Sequence, residues 1–305
     1  MGGKNVAAGS VGRSATTIPA VHFRFVTAVF AGKINTVDEL QQPYAGGRGV
    51  DAFMNIGLVF PMTAARTIPY STLGGGFAVL QDGAPIFTLL VLDSHDTPTT
   101  SGFESFFTNG VTGLAGLNIP VTIFDKPGHQ GFTATYSSAS YNDLKPTAYF
   151  DPNVGPVIVT GTDTGSWAFL YSADQALYVD PSNPKRSFGL FTNLGVADNG
   201  PSPIRWSANV GLGGSSPISS RPLDTFGVGY SYVGYSDPVK DLAPVLLPIG
   251  NDEAVELFYN IAVTPWFRVT PDIQFLMPAR ERTLPPGAMD IDTAVVVGLR
   301  GKIEF

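Results

Sequence analysis

The sequence has no cysteine among its 305 residues, which excludes disulfide scaffolds and thiolate chemistry while fitting any compartment. Charge is scarce as well. Only 14% of the residues are Asp, Glu, Lys or Arg, against about 25% in ordinary soluble domains, and the net charge is −7. Such a chain lacks the basic face that nucleic-acid binding requires, so no nucleic-acid partner is expected. Long apolar runs are missing too: the longest candidate, residues 86–92, has only strand length, far short of the ~20 residues of a spanning helix. Met1 is followed by Gly-Gly-Lys-Asn rather than the charged-then-apolar layout of a signal peptide, and residues 1–20 read as a poorly structured segment. Helices should be few, because 35 Gly and 25 Pro interrupt almost every window. Single turns are expected at 38–42 and 243–247. Yet hydrophobic residues make up 44% of the chain, which excludes disorder and requires the apolar content to be spread in some other way.

It is spread by alternation. From Val295 onward, Val295, Val297, Leu299, Gly301, Ile303 and Phe305 alternate with Val296, Gly298, Arg300, Lys302 and Glu304. Phe267, Val269, Pro271, Ile273 and Phe275 alternate with Arg268, Thr270, Asp272 and Gln274. Val255, Leu257, Tyr259, Ile261 and Val263 oppose Glu256, Phe258, Asn260 and Ala262, and residues 226–232 set Phe, Val and Tyr against Gly and Ser. A soluble sandwich alternates in the same way, but here aromatics also gather at strand ends, as Trp167, Tyr178, Tyr235 and Trp266. A lipid-facing band, aromatic girdles and a polar lumen are the marks of an outer-membrane barrel.

Connection length points the same way. About twelve strands can be counted back from Phe305. Long linkers near 34–66, 94–106, 142–165, 198–203, 237–252 and 278–291 alternate with short ones near 81–85, 125–129, 181–186, 213–222 and 265–266. Gln-Asp-Gly and Asp-Lys-Pro-Gly supply turn chemistry in two of the short ones. Barrels have short periplasmic turns and longer extracellular loops, and this parity places the C-terminus on the periplasmic side. The linkers 198–203 and 213–222 differ least and support the pattern least.

Residues 256–267, Glu-Leu-Phe-Tyr-Asn-Ile-Ala-Val-Thr-Pro-Trp-Phe, followed by Val269-Thr-Pro-Asp-Ile-Gln274 and Asp292-Thr-Ala-Val-Val-Val-Gly-Leu-Arg300, resemble the carbohydrate-selective porins of OprB type. So do Gly165-Ser-Trp-Ala-Phe-Leu-Tyr-Ser-Ala-Asp-Gln-Ala-Leu-Tyr178, Asp224-Thr-Phe-Gly-Val-Gly-Tyr230, Phe30-Ala-Gly-Lys-Ile-Asn-Thr36, Ala45-Gly-Gly-Arg-Gly49 and Phe53-Met-Asn55. The resemblance runs from about Val21 to the end. It implies an all-β, transmembrane antiparallel barrel of sixteen strands for sugar uptake in the Gram-negative outer membrane. About twelve of those strands are present, so the chain reads as N-terminally truncated, with residues 21–305 as the barrel domain. The segment 34–66 would then be the loop that folds into the lumen and narrows it. An open seam between first and last strand is expected, a closed twelve-strand barrel being the alternative.

A sugar-selective pore needs hydrogen-bonding groups for hydroxyls and aromatic faces for the sugar ring, with no nucleophile, metal or cofactor. Arginine suits it, because its planar fork can donate to two vicinal hydroxyls. The candidates are Lys33, Arg48, Asp51 and Arg66 on or beside the long segment, with Tyr44 and Tyr70 for ring stacking. For Arg48 and Asp51 the competing reading is that they pin the loop to the wall, and for the tyrosines that they belong to a girdle. Asp272 and Gln274 join the candidates as lumen-facing positions, where a solvated wall or a satisfied network is the alternative. Asp93-Ser-His-Asp96 superficially resembles a metal cluster but also a solvated loop, and His22 and His129 show no acidic or serine partner at a recognisable spacing. The glycines in Leu73-Gly-Gly-Gly-Phe77 lack the Lys-Ser/Thr of a phosphate loop and read as curvature or lumen clearance. Phe305 resembles the terminal signal read by the barrel assembly machinery.

Passive, selective diffusion of mono- or oligosaccharides is the first functional expectation, with a general porin as its nearest alternative. A barrel-type outer-membrane enzyme such as a lipid hydrolase would need a Ser–His pair, and a soluble β-sandwich or propeller would need no detergent. Carbohydrate solutes and outer-membrane lipid are the expected partners. The oligomeric state stays open, a homotrimer included.

Overall fold

The computed structural model describes residues 24–36, 42–45, 50–145, 147–246, 249–279 and 292–305. The segment 1–20, most of the turn expected at 38–42, His22, Arg48 and most of the 278–291 linker lie outside the described residues. Twelve strands form one antiparallel sheet in chain order: β1 (Phe25–Asn35), β2 (Ser71–Gln81), β3 (Ala84–Asp93), β4 (Val111–Ile123), β5 (Lys126–Asn142), then β8 (Thr162–Asp180), β9 (Asn183–Ala197), β10 (Ile204–Ser215), β11 (Thr225–Tyr235), β12 (Asn251–Thr264), β13 (Phe267–Met277) and β14 (Ala294–Ile303). The small hairpin of β6 (Thr147–Asp151) and β7 (Gly155–Val159) sits in the connection between β5 and β8 and forms its own sheet. Among the described residues β1 and β14 pair on one side only, so a seam lies open between them.

The alternation selects the faces. Val297 and Leu299 are exposed by 77% and 75%, whereas Glu256, Asn260 and Thr270 are fully buried. Apolar side chains therefore point out and polar ones in, the reverse of a soluble protein and the arrangement of a barrel wall in lipid. Trp167 and Trp266 are exposed on the outside, and Tyr178 stacks on Phe188 with ring centroids 5.5 Å apart. Tyr235 departs from the girdle expectation. It shares a row with inward Gly227, Gly229 and Ser231, and its hydroxyl donates to Asp252 Oδ2 at 2.5 Å.

With the pair 198–203 and 216–224 as the exception, the short connections lie at one end of the sheet and the long ones at the other. At the short end Asp82 and Gly83 carry positive φ, the mirror-image turn that suits the strand twist. The next turn is Phe124–Asp125, also with φ of 51° and 57°, rather than Asp-Lys-Pro-Gly. Pro127 lies within β5 opposite Thr122, because a proline near the start of a strand is tolerated and does not force a turn. At the long end, the described part of the turn expected at 243–247, residues 243–246, is the end of a longer helix, α2 (Asp237–Leu246). Asp237 and Pro238 provide an acidic residue and a proline where a helix start favours both. The 216–224 connection is longer than 198–203 although it lies at the short end.

What orders the 216–224 connection is Asp224. It accepts from Arg221 Nε at 2.7 Å and from the Ala262 amide at 2.9 Å. Burial alone would raise its pKa, but these bonds outweigh it and hold the carboxyl below the usual carboxylate range. A depressed value means that the group stabilises the fold above about pH 4 and loses that effect as pH falls through the lowered pKa. Hydrogen exchange at Ala262 is therefore expected to accelerate in that acid window, and Asp224→Asn to remove the transition. On the outer face, Leu299→Arg is expected to cost about 2–4 kcal/mol of stability in urea titrations in lipid vesicles.

Candidate functional site

The described parts of the connection between β1 and β2 lie on the concave side of the sheet. Tyr44, Ala45, Phe53 and Leu58 form one apolar cluster with Ala176, Phe191 and Phe258 of the wall. Phe60, Ala64 and Ile68 form a second with Leu170. Phe53 meets Phe191 and Phe258 edge-on, with centroids 5.6 and 4.9 Å away, the arrangement favoured by ring quadrupoles. The wall is hollowed to receive it. A Cβ added to Gly227 would lie 2.6 Å from the Phe53 ring, and one added to Gly229 2.7 Å from Leu58. The Gly rows of β11 are therefore the seat of the connection.

Polar anchors complete the attachment. The Glu256 carboxylate accepts from the amides of Met54 and Asn55 at 2.6 and 2.7 Å. Asn55 caps the short helix α1 (Ile56–Val59) by accepting from Gly57 N at 2.9 Å, and Asn209 Nδ2 donates to Gly57 O at 2.9 Å. A 3₁₀ turn, Met62–Arg66, follows. Beyond it Thr67 shares a 2.7 Å hydroxyl contact with Thr135 and accepts at its carbonyl from Thr112 Oγ1 at 3.0 Å. At the other end Arg300 Nη1 donates to Ala52 O at 2.6 Å. A single segment bonded to β4 and β5 on one side and to β12 and β14 on the other requires the sheet to curl around it.

The candidates from the sequence fall into three groups. Arg66 and Tyr70 come together. They line one cavity of about 230 Å³ with Ser94 and Asp96. The Arg66 guanidinium lies 4.5 Å over the Tyr141 ring, and Tyr70 is 43% exposed. Arg66 Nε and Ser94 Oγ are buried without a hydrogen-bond partner among the described residues. Asp96 Oδ1 accepts from Ser71 N at 3.0 Å, and Asp93 holds His95 at Nδ1 with 3.2 Å, so these two acids organise the loop.

The second group holds the connection in place. Asp51 accepts from Lys302 Nζ at 2.7 Å, Asp272 accepts from Arg300 Nη2 at 3.2 Å, and Gln274 donates to Asp272 at 3.1 Å. Lys33 donates to Thr97 Oγ1 at 3.0 Å and to the carbonyls of Thr97 and Thr100, binding the next long loop. Tyr44 belongs to a third group. It is 8% exposed within the first apolar cluster, so its ring anchors the connection instead of facing open space. His129, which has no partner at a recognisable sequence spacing, meets Asp174 at 3.1 Å across the β5–β8 register. Glu256 and Asn209, the anchors of α1, were legible only as inward positions of alternating strands, since nothing local marks what they hold.

A family model described as carbohydrate-selective porin, OprB family, matches residues 26–305. Porin B of Pseudomonas aeruginosa is 26% identical over 249 residues, covering 73% of this chain and 53% of that protein. The putative porin QuiX of Acinetobacter baylyi is 27% identical over 237 residues, 69% of this chain and 50% of that one. The chain thus spans about half the length of these curated relatives. The high-pH structure of Pseudomonas putida OprB superposes with a TM-score of 0.71 at 20% identity, over 92% of this chain and 70% of that one. At that identity it speaks for the fold.

Overpacking the seat tests the attachment. Gly229→Leu is expected to cost about 1–3 kcal/mol and to lift Leu58 off the wall, so that trypsin cleaves after Arg66 in the folded protein. Resistance at Arg66 in that variant would show that the connection is held without the seat.

Proposed function

We propose that this chain, which belongs to the carbohydrate-selective porin, OprB family, forms part of a passive diffusion route for mono- or oligosaccharides. It is a Gram-negative outer-membrane protein of barrel type. The observation that carries the reading is the attached connection, which brings Arg66 and Tyr70 to one cavity with Ser94 and Asp96. The Arg66 fork donates to neighbouring hydroxyls, Asp96 and Ser94 accept from them, and the exposed Tyr70 ring meets the apolar C–H face of the sugar. Selection is by fit and hydrogen bonding at this narrowing, and the solute gradient alone drives passage. The short-turn end faces the periplasm, and Phe305, fully exposed beyond β14, is presented there to the barrel assembly machinery.

Planar-bilayer conductance with added sugar tests this. Glucose or a disaccharide is expected to block the current in a concentration-dependent way. Arg66→Ala should weaken the block by about tenfold, the loss of one charged hydrogen bond, and Tyr70→Ala should weaken it as well. Unchanged block would remove both residues from the route, and high conductance without block would leave a general porin.

A further inference from the structure

The inner wall is not polar throughout. Residues 86–92, the longest apolar run of the sequence, form most of β3, and apart from Thr88 both of its faces are apolar. Leu89 and Val91 are exposed on the outside, while Ile86, Thr88, Leu90 and Leu92 point inward, Leu90 and Leu92 buried and Ile86 half-buried. Apolar surface left against a water-filled lumen is unfavourable. Ile86 and Leu90 line a cavity of about 370 Å³, shared with Ile68 and Pro61 of the β1–β2 connection, that reaches from the connection toward the short-turn end.

That cavity has two unlike sides. Ile86, Leu90 and Leu114 give it an apolar flank across β3 and β4, with Thr88 and Gly116 between them. Next to this flank along the sheet are His129, Ser172 and buried Asp174, brought together by the β5–β8 register. Asp174 engages Nδ1 of His129, which turns Nε2 into the ring nitrogen that can meet a solute hydroxyl. The volume lies in the range of small-molecule pockets, which are mostly apolar with a few placed polar groups. A plain sugar, hydroxylated all round its rim, would leave the apolar flank of Ile86 and Leu114 uncovered. A glycoside carrying an aryl or alkyl group would cover that flank while its hydroxyls meet the neighbouring His129 and Ser172.

We propose that this cavity is a second solute site, distinct from the one around Arg66, that favours glycosides with an apolar aglycone over unsubstituted sugars. It rests on the reading of the barrel as a carbohydrate route and narrows the solute class. Current block in planar bilayers by methyl β-glucoside and by phenyl β-glucoside tests it, with glucose alongside. Phenyl β-glucoside is expected to block at a concentration about tenfold lower than the methyl glycoside. Leu90→Asn should erase that difference and leave the block by glucose and methyl β-glucoside unchanged. Ile86→Asn, at a half-buried position near the strand end, serves the same purpose if Leu90→Asn does not fold. Equal block by the two glycosides in the native protein, or a difference that survives in the folded variants, overturns the second site and leaves the sugar route standing. No block by any of the three overturns both.

Discussion

The attachment of the β1–β2 connection turns on the carboxylate of Glu256. A polar group that is fully buried needs partners, and this one accepts from two consecutive backbone amides, those of Met54 and Asn55. Those bonds set where α1 begins, and α1 sets where Phe53 and Leu58 enter the wall. The aromatic contacts to Phe191 and Phe258 and the bare backbone at Gly227 and Gly229 follow from that register. Farther along the same segment, Arg66 reaches the long-loop end and meets Tyr70, Ser94 and Asp96.

The charges inside the wall are mostly occupied with one another. Arg300 joins Asp272 to the Ala52 carbonyl and lies 5.9 Å from the Phe258 ring, while Lys302 joins Asp51 to β14. A buried guanidinium or carboxylate left alone would be strongly destabilising, so pairing is the condition for placing them there at all. The consequence for function is a division of labour along one segment. Its first half is fastened by ion pairs and backbone bonds, and its second half presents Arg66, with an unengaged Nε, to a cavity.

Strand direction, the face each strand turns outward and the parity of its connections were legible from alternation and turn residues, since a period of two admits no other assignment once one face must meet lipid. Where the reading of the sequence differs from the structure, a non-local contact or a tolerated irregularity is responsible. Tyr235 looks like a girdle residue until Asp252 on the next strand claims its hydroxyl. Pro127 looks like part of a turn, yet β5 accommodates it opposite Thr122. His129 has no partner nearby in sequence because its partner, Asp174, is brought to it by strand pairing.

By itself the sequence determined the inside-out chemistry of the wall: every second residue of β12, β13 and β14 had to face lipid, and the intervening Glu256, Asp272 and Arg300 had to face inward. The resemblance in residues 256–300 added the family. Only the tertiary structure decided which inward groups are spent on holding the connection and which are left for a solute. Asp51 and Arg66 are both charged and both belong to the connection, but Lys302 of a strand far along the chain reaches the first, whereas the second lines a cavity. That choice depends on how far the sheet curls and in what register β14 meets β13, and neither quantity is written in any local stretch of residues.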